Sequence, residues 1–588
     1  MKCSICEVKC TIDDGSIGGC GMMIRTGDEI RERYPDRYLA AVDTAIESMP
    51  MLHFHPRGKF LQVCTVGCNF NCNGCVSELL THHLAAIHGA FQQMTPETLI
   101  HKAKLEDCIG IMFCFNEPTV SYFTFLRLAQ MAKQNGLLVG CSTNAYFTET
   151  ALERLIPHID FVNVGLKGVS EKIYHACGVR RVAPVLRNIK ALYERGVYLE
   201  ISTIYRKGGD MDILQCAEFI ASLSPEIVFQ VMRFVPFGDA PLDMEPCVRE
   251  AETICQKLRE HLNWVYLFNS PGTDSLDSRC PDCGAKIMQR GFYGPMCSNL
   301  FRYQPDGRCK CGFTMPIKGM IHDAQVRETG YFGGYRAINA LTMIRWLLAV
   351  LGVTDKSLVD RIMLRVLEED FIKELYARLN RIDAYFDTLD YFAELTDRQD
   401  RALQFRAYVQ SRVEGIQKKI GTATKPVVYC TLGHPLIAMF TDKMESRLIE
   451  IAGGKLANHR IEREGRPGIT LSKEQFNSLA PDIIVITGSA AWPKEDFIAF
   501  CHGNGLDVPA TKTGSIFHLD PYRTSVNPDW VLGLMGLANI IHPKIFSFNL
   551  EQEANDFYQE FYNQSFEEGH RRAFAAPAKA VERQTTGI

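Results

Sequence analysis

From Lys59 to about Ser270 the chain alternates short apolar runs with longer amphipathic stretches. The runs are KFLQVC (59–64), IGIMFCF (109–115), LLVGCS (137–142), DFVNV (160–164), YLEISTI (198–204) and IVFQVMR (227–233). Their length and their content of β-branched and aromatic residues predict buried strands. Helices are expected between them. One opens at Thr95-Pro96-Glu97, a capping residue followed by proline in the first turn. Another, APVLRNIKALYERG (183–196), closes at Gly196, a residue suited to a helix end. Strand–helix repeats imply parallel strands with right-handed crossovers, hence a barrel or partial barrel. In such folds the chemistry gathers at the C-terminal ends of the strands.

The pattern changes on either side. Residues 1–50 are a cysteine-bearing module with glycine-rich turns, 51–275 the α/β barrel, and 276–318 a short segment with five cysteines. Residues 319–424 read as helical, with charges on one face and Leu, Ile, Phe and Tyr on the other. Over 425–548 the α/β alternation returns in PVVYC (426–430), PDIIVITG (481–488) and SIFHLD (515–520). Residues 549–588 are a polar tail, expected to fray. The most apolar run, INALTMIRWLLAVLGV (338–353), is too short to cross a bilayer and contains Arg345, so it is expected to be a buried helix.

The totals exclude some functions. Of 588 residues, 46% are hydrophobic and 22% charged, with a net charge of −4. Signs are interspersed, so neither a nucleic-acid footprint nor a membrane anchor is expected. The start, MKCSICEVKC, lacks a signal-peptide core, which makes cytoplasmic location the expectation. In that reducing compartment the 22 cysteines are not expected to form disulfides. Thirteen fall into three groups, at 3–20, 64–75 and 280–311, which read as metal sites. The other nine, Cys177 among them, read as small buried hydrophobes.

The stretch CTVGCNFNCNGC (64–75) directly follows the first predicted barrel strand. Cys68, Cys72 and Cys75 form C-x3-C-x2-C on one loop. A closed tetrahedral site usually pairs two knuckles far apart in sequence, so spacing alone leaves a zinc knuckle with Cys64 as an alternative. The neighbouring segments point elsewhere. FNEPT (115–119), STNAY (142–146), NVGLKG (163–168) and LEISTI (199–204) follow in order along the strands. With LHFHP (52–56) and the N-terminal Cys3-x2-Cys6-x3-Cys10…Cys20-Gly, they resemble the radical SAM superfamily over about residues 1–318. The likeness is to the pyruvate formate-lyase activase and AmmeMemoRadiSam branch. The resemblance implies a [4Fe–4S] cluster on Cys68, Cys72 and Cys75 with one iron open to S-adenosylmethionine (SAM). It also implies SAM contacts at Glu117, assisted by Asn116, and at Ser142, Asn144 and Lys167, with Glu200 lining the site. A low-potential electron donor, ferredoxin or flavodoxin, is the implied partner.

The chain departs from the branch in several places. Gly74 stands where an aromatic residue usually packs near adenine, Gly165 where an aspartate is found, and Gln230 where a histidine is common. Cys64 is an extra thiol. Cys280, Cys283, Cys309 and Cys311 resemble a zinc ribbon whose second knuckle is one residue short, with Cys297 in reserve. Zinc or iron in a structural site is the expected occupant and an auxiliary iron–sulfur cluster the alternative. Cys3, Cys6, Cys10 and Cys20 form a possible second site, for which spacing does not separate zinc from iron–sulfur. His53 and His55, alternating on an extended HFH segment, are expected on the same side.

The order EIAGGKLANHR (450–460), TLSKEQFNSLAPDIIVITG (470–488), GSIFHLDP (514–521) and GLANIIHP (536–543) resembles one lobe of the periplasmic proteins that bind cobalamin, haem or iron chelates. His434, Trp492 and Arg523 are candidate contacts there. The expected fold is therefore α/β: a radical SAM partial (β/α)6 barrel with a cysteine-rich N-terminal module, a zinc-ribbon-like insert, a helical segment and a periplasmic-binding-protein-like lobe. The expected function is hydrogen abstraction from a protein or from a bulky cofactor or metal chelate. A non-catalytic metal-handling protein is the alternative from another class.

Overall fold

In a computed structural model of the 588-residue chain, the described residues are 1–72, 75, 77, 80–81, 91–235, 242–292, 298–323, 336–355, 357–359, 361–363, 375, 378–379, 381–461, 469–487, 492–519 and 527–568. Its centre is one eight-stranded sheet of β1 (Ala40–Ala45), β2 (Lys59–Cys64), β3 (Gly110–Phe113), β4 (Leu138–Thr143), β5 (Phe161–Gly165), β6 (Tyr198–Tyr205), β7 (Val228–Arg233) and β8 (Val265–Phe268). The strands lie in chain order across the sheet. β2 to β8 are parallel, and β1 pairs antiparallel with β2.

The six apolar runs are β2 to β7, within a residue or two of their expected ends. β1 and β8 extend the expected six-strand unit by one strand on each side. β1 is AAVDTA, and alanine and aspartate are poor strand formers, so its pairing with β2 rather than its composition makes it a strand. The helices have the expected punctuation. Thr95 Oγ1 caps Pro96–Leu105 by accepting from the Thr98 amide at 3.3 Å. Ala183–Glu194 ends with Gly196 at φ +74°.

Strand alternation sorts side chains between two faces. Leu61, Val63, Ile111, Phe113, Val139, Val162, Ile201 and Phe229 pack with the helices in one apolar cluster. The opposite face carries a buried polar chain. Ser202 Oγ donates to Asn163 Oδ1 at 3.1 Å, Asn163 Nδ2 to Gln230 Oε1 at 3.0 Å, and Gln230 Nε2 to Glu200 Oε2 at 2.5 Å. Gly140 sits on this face because a Cβ there would lie 2.4 Å from the Phe161 ring.

The N-terminal module docks on the far side of β4. Cys6 bridges to Phe147, and the Thr148 amide donates to the Ile5 carbonyl at 3.0 Å. Glu32, from the module's hairpin, caps the helix Tyr122–Gln134 by accepting from the amides of Phe123 and Thr124 at 2.6 and 3.1 Å. The cysteine segment is a three-stranded antiparallel sheet, Ser278–Arg279, Lys286–Phe292 and Ser298–Tyr303. Its Ile287, Met288 and Leu300 join Val228, Met232, Tyr266 and Phe268 of the barrel in one core.

The helices Arg336–Val350, Ile382–Thr396 and Gln399–Ile420 follow. INALTMIRWLLAVLGV lies on the first of them, and no described helix is long and apolar enough to cross a membrane. The C-terminal lobe is a six-stranded mixed sheet in which Val427–Leu432, Ile483–Thr487 and Ile516–His518 are parallel neighbours. Helix Trp530–Ile541, almost wholly buried, packs with the helical segment. One apolar cluster runs from Val66, Leu80 and Val120 beside the cysteine loop through Leu347 and Phe405 to Trp530.

Candidate active site at the cysteine loop

The loop leaves β2 at Cys64 and is fixed by residues from the ends of β3 and β4. Asn116 accepts from the Thr65 amide at 3.0 Å and donates to Thr65 Oγ1 at 2.8 Å. The Glu117 amide donates to the Gly67 carbonyl at 3.3 Å. Gly67 has φ +86°, and a Cβ there would meet Met22 at 2.8 Å, so the turn requires glycine. Phe115, just before Asn116, and Ala145, just after Asn144, also hold positive φ, at +74° and +57°. Left-handed backbone at non-glycine residues is costly and persists where its surroundings fix it.

Glu117 is buried and fully engaged. One oxygen accepts from the Thr119 amide at 3.1 Å, from Thr143 Oγ1 at 2.7 Å and from the Thr119 hydroxyl; the other accepts from the Asn144 amide at 2.7 Å. Burial raises its pKa against these hydrogen bonds. Asn144, held in this way, donates to Asn69 Oδ1 at 2.7 Å and lies 3.8 Å from Cys68 Sγ. The Phe70 amide donates to the same sulfur at 3.3 Å. Three residues named from sequence, Asn116, Glu117 and Asn144, thus converge on the segment that presents Cys68.

Lys167, half-buried after β5, faces the other cysteines. Burial alone would lower its pKa, but the negative charge of Cys72, Cys177, Cys75 and Cys68 raises it overall. A Cβ at Gly165 would lie 3.4 Å from Lys167 Nζ, an ordinary contact. Burial raises the Cys68 and Cys75 thiols.

Sequence reasoning passed over several contributors. Cys177, read as a plain hydrophobe, hydrogen-bonds Cys72, which holds its pKa down to about 7 and raises that of Cys72. Its carbonyl accepts from the Asn71 amide at 2.8 Å, fixing the loop between Cys68 and Cys72. Thr65, Thr119, Ser121 and Thr143 form the hydroxyl lining. A hydroxyl at a strand end carries little sequence signal, because Ser and Thr are common in any turn.

Three expectations meet a different geometry. Glu200 sits near the start of β6, away from the loop. Its carboxylate accepts from the Leu52 amide at 2.9 Å, the His53 amide at 2.8 Å and Tyr198 Oη at 3.2 Å, besides Gln230. It anchors the segment before β2 rather than facing the cysteines, and burial raises its pKa to about 7. Ser142 lies on β4 with Asn163 as its strand partner; its neighbour Thr143 is the residue that reaches Glu117. The HFH segment is not extended either, because His55 has φ +41°. His53 is buried against Tyr266, with Nε2 2.6 Å from the phenol oxygen, whereas His55 Nδ1 lies 2.9 Å from His322 Nε2. Cys64 is a fully buried strand residue. Gly74, Cys297 and Arg523 lie outside the described residues.

The second cysteine group fits a single ion. Cys280, Cys283, Cys309 and Cys311 have sulfurs all within 4.8 Å of one another, with Cys280–Cys311 and Cys283–Cys309 at 3.4 Å. Four thiolates at such spacing suit tetrahedral zinc, whose bound sulfurs lie about 3.8 Å apart. The C-x-C knuckle therefore closes despite its missing residue. In the C-terminal lobe, His434 and Trp492 are taken up by a contact with the barrel. Trp492 Nε1 donates to the Pro271 carbonyl at 2.9 Å, and Gly272 lies so close to His434 that a Cβ would be 2.0 Å from its ring.

With this geometry in place, comparison with known proteins is specific. The chain carries a Radical SAM superfamily domain at residues 63–220 and a Periplasmic binding protein domain at 367–522, the latter beginning within the helical segment. An uncharacterized protein of Methanocaldococcus jannaschii is 28% identical over 333 residues, covering 54% of this chain and 95% of the relative. A domain of pyruvate-formate lyase-activating enzyme from Bacteroides vulgatus matches 27% of this chain and 98% of its own length, at 18% identity and TM-score 0.24. A periplasmic solute binding protein from Veillonella parvula matches 33% of this chain at 17% identity and TM-score 0.29. The chain spans about three fifths, 61%, of that protein's length. TM-scores of this size say nothing further about either site.

Proposed function

We propose that the protein is a radical SAM enzyme that abstracts hydrogen from a substrate delivered by its C-terminal half. Cys68, Cys72 and Cys75 would hold the [4Fe–4S] cluster. Three thiols on one loop, with an amide aimed at Cys68, suit a cluster that keeps one iron free for SAM. When bound, the cluster and SAM supply a 5′-deoxyadenosyl radical by one-electron cleavage of the sulfonium, the electron coming from ferredoxin or flavodoxin. The chain's own residues orient and shield. Glu117 and Thr143 fix Asn144 against the loop, Asn116 fixes its entry, and Lys167 places a cation among the sulfurs, able to meet a carboxylate or ribose oxygen.

The observation that carries this reading is the convergence of Asn116, Glu117 and Asn144, from two strand ends, on the Cys68 segment. A purely metal-storing loop has no need of that scaffold. The apolar cluster that joins Val66 and Val120 to the helical segment supports a substrate that arrives with the C-terminal half. A protein or a bulky cofactor or metal chelate would suit it, and nucleic acid would not.

The test is anaerobic. The chain is reconstituted with iron and sulfide, reduced with dithionite and given SAM, and 5′-deoxyadenosine is measured against a Cys68→Ala/Cys72→Ala/Cys75→Ala variant. Deoxyadenosine from the wild type alone is the expected outcome. A fully loaded protein that binds SAM yet releases none would return the chain to metal handling.

A further inference from the structure

Cys3, Cys6, Cys10 and Cys20 come together from a loop and a glycine turn to line one cavity of about 460 Å³, whose wall also includes Cys68 and Phe70. Burial raises the Cys3, Cys6 and Cys20 thiols against hydrogen bonds from backbone amides, of Ile5 and Cys6 to Cys3, of Val8 to Cys6, and of Met22 and Met23 to Cys20. The same aim of amide at sulfur occurs at Cys68 and in the ribbon, from Phe70 to Cys68 and from Phe313 to Cys311. Such donors stabilise a bound thiolate.

Spacing then decides between a single ion and a cluster. Zinc with Zn–S of about 2.3 Å holds its sulfurs about 3.8 Å apart. Among the described residues, the ribbon is the one set of three or more ligand atoms all within 4.8 Å of one another. The N-terminal four do not meet that spacing, and neither do Cys68, Cys72 and Cys75. The N-terminal set therefore lacks the tight spread that suits a lone zinc ion in the ribbon. The cavity supplies a volume that a lone ion does not require.

We propose that Cys3, Cys6, Cys10 and Cys20 hold a second, fully ligated [4Fe–4S] cluster beside the radical SAM loop. Four cysteines complete the coordination of a cubane, so this cluster has no open iron for SAM. Its chemistry is to accept one electron and release one, with no bond made or broken. The proposal uses the loop's assigned cluster as a comparison, but its test does not need that cluster.

The Cys68→Ala/Cys72→Ala/Cys75→Ala variant of the full chain is reconstituted anaerobically, and iron, sulfide and zinc are quantified with EPR after dithionite reduction. About half of the wild-type iron and sulfide should remain, with a reduced-cluster signal that SAM does not change. Adding Cys10→Ser, a half-buried and least intrusive change, should shift or abolish that signal. Zinc retained at the ribbon reports that the chain is folded, and Cys3→Ala/Cys6→Ala serves as a second removal. Loss of all iron and sulfide from the triple variant while zinc is retained would overturn the proposal. So would a second equivalent of zinc that Cys3→Ala/Cys6→Ala removes. Neither result depends on whether the wild type cleaves SAM.

Discussion

Glu117 shows how a residue can be identified from sequence and still have its task specified only by structure. Its place after β3 suggests direct contact with SAM, yet every hydrogen bond found to its carboxylate comes from Thr119, Thr143 or Asn144. A carboxylate can accept from all of these at once; an amide cannot, because its NH2 must face a donor. Glu117→Gln should therefore cost on the order of 1–3 kcal/mol, read as a lower melting temperature. It should also speed iron loss from the Cys68 loop as Asn144 relaxes. Weaker SAM affinity at unchanged stability would instead mean that Glu117 acts on SAM itself. Glu200 makes a different prediction. Its pKa is raised from 4.5 to about 7 by burial, despite the hydrogen bonds it accepts. The folded chain thus binds the extra proton between those values, and stability falls as pH rises through that window. A shift of this size corresponds to about 3 kcal/mol. Denaturation of Glu200→Gln should show a flatter pH dependence between pH 4.5 and 7 than the wild type, and an unchanged slope would assign the fall to other groups.

At the scale of elements, the strands announced themselves because β2 to β7 are buried on both faces and read as continuous apolar runs. β1 did not, since Ala40, Ala41 and Asp43 have no such signature and gain their strand state from pairing with β2. The cysteine loop was equally legible, as C-x3-C-x2-C spacing is a local signal. Cys177 was not, because its link to Cys72 crosses a hundred residues of chain and leaves no periodicity behind. His55 and Glu200 failed for a related reason. Alternation in sequence assumes extended backbone, and the positive φ at His55 breaks it; Glu200's partners, Leu52 and His53, come from the irregular segment between β1 and β2. The ribbon is the element whose metal can be tested by itself. Its four sulfurs close on one another, and its apolar residues share a core with β7 and β8. If the ribbon holds zinc, Cys311→Ser, at the exposed end of the short knuckle, should remove close to all zinc found by elemental analysis. Trp264, in that core beside Phe313 at 6.2 Å, should report the loosening by fluorescence. Full zinc retention in that variant would move the ion to another cysteine group.

For the whole molecule, the central question is how the C-terminal lobe is joined to the barrel. Two separate contacts join them. One is the apolar cluster that runs from Val66 and Val120 through the helical segment to Trp530. The other is narrow, where the Pro271–Gly272 turn after β8 presses against His434 and Trp492. His434 is buried there, and burial lowers its pKa to about 3, so it packs as a neutral ring. Arg249 adds an ion pair to Asp496 at 3.0 Å, but its exposed guanidinium makes this a minor contribution. Gly272 has φ +80°, and a side chain there would be both strained and driven into the imidazole. Gly272→Ala should therefore open the narrow contact while leaving the broad one intact. The expected result is new protease cleavage near Trp492, with iron and zinc contents unchanged and one cooperative melting transition kept by the shared cluster. Deoxyadenosine formed without substrate should be unaffected, because Cys68 and its scaffold lie on the opposite side of the sheet order from β8. A fall in turnover only when substrate is present would place delivery at this contact. If the two halves melted separately, the broad cluster would not be what joins them, and the lobe would be a tethered partner rather than part of one working body.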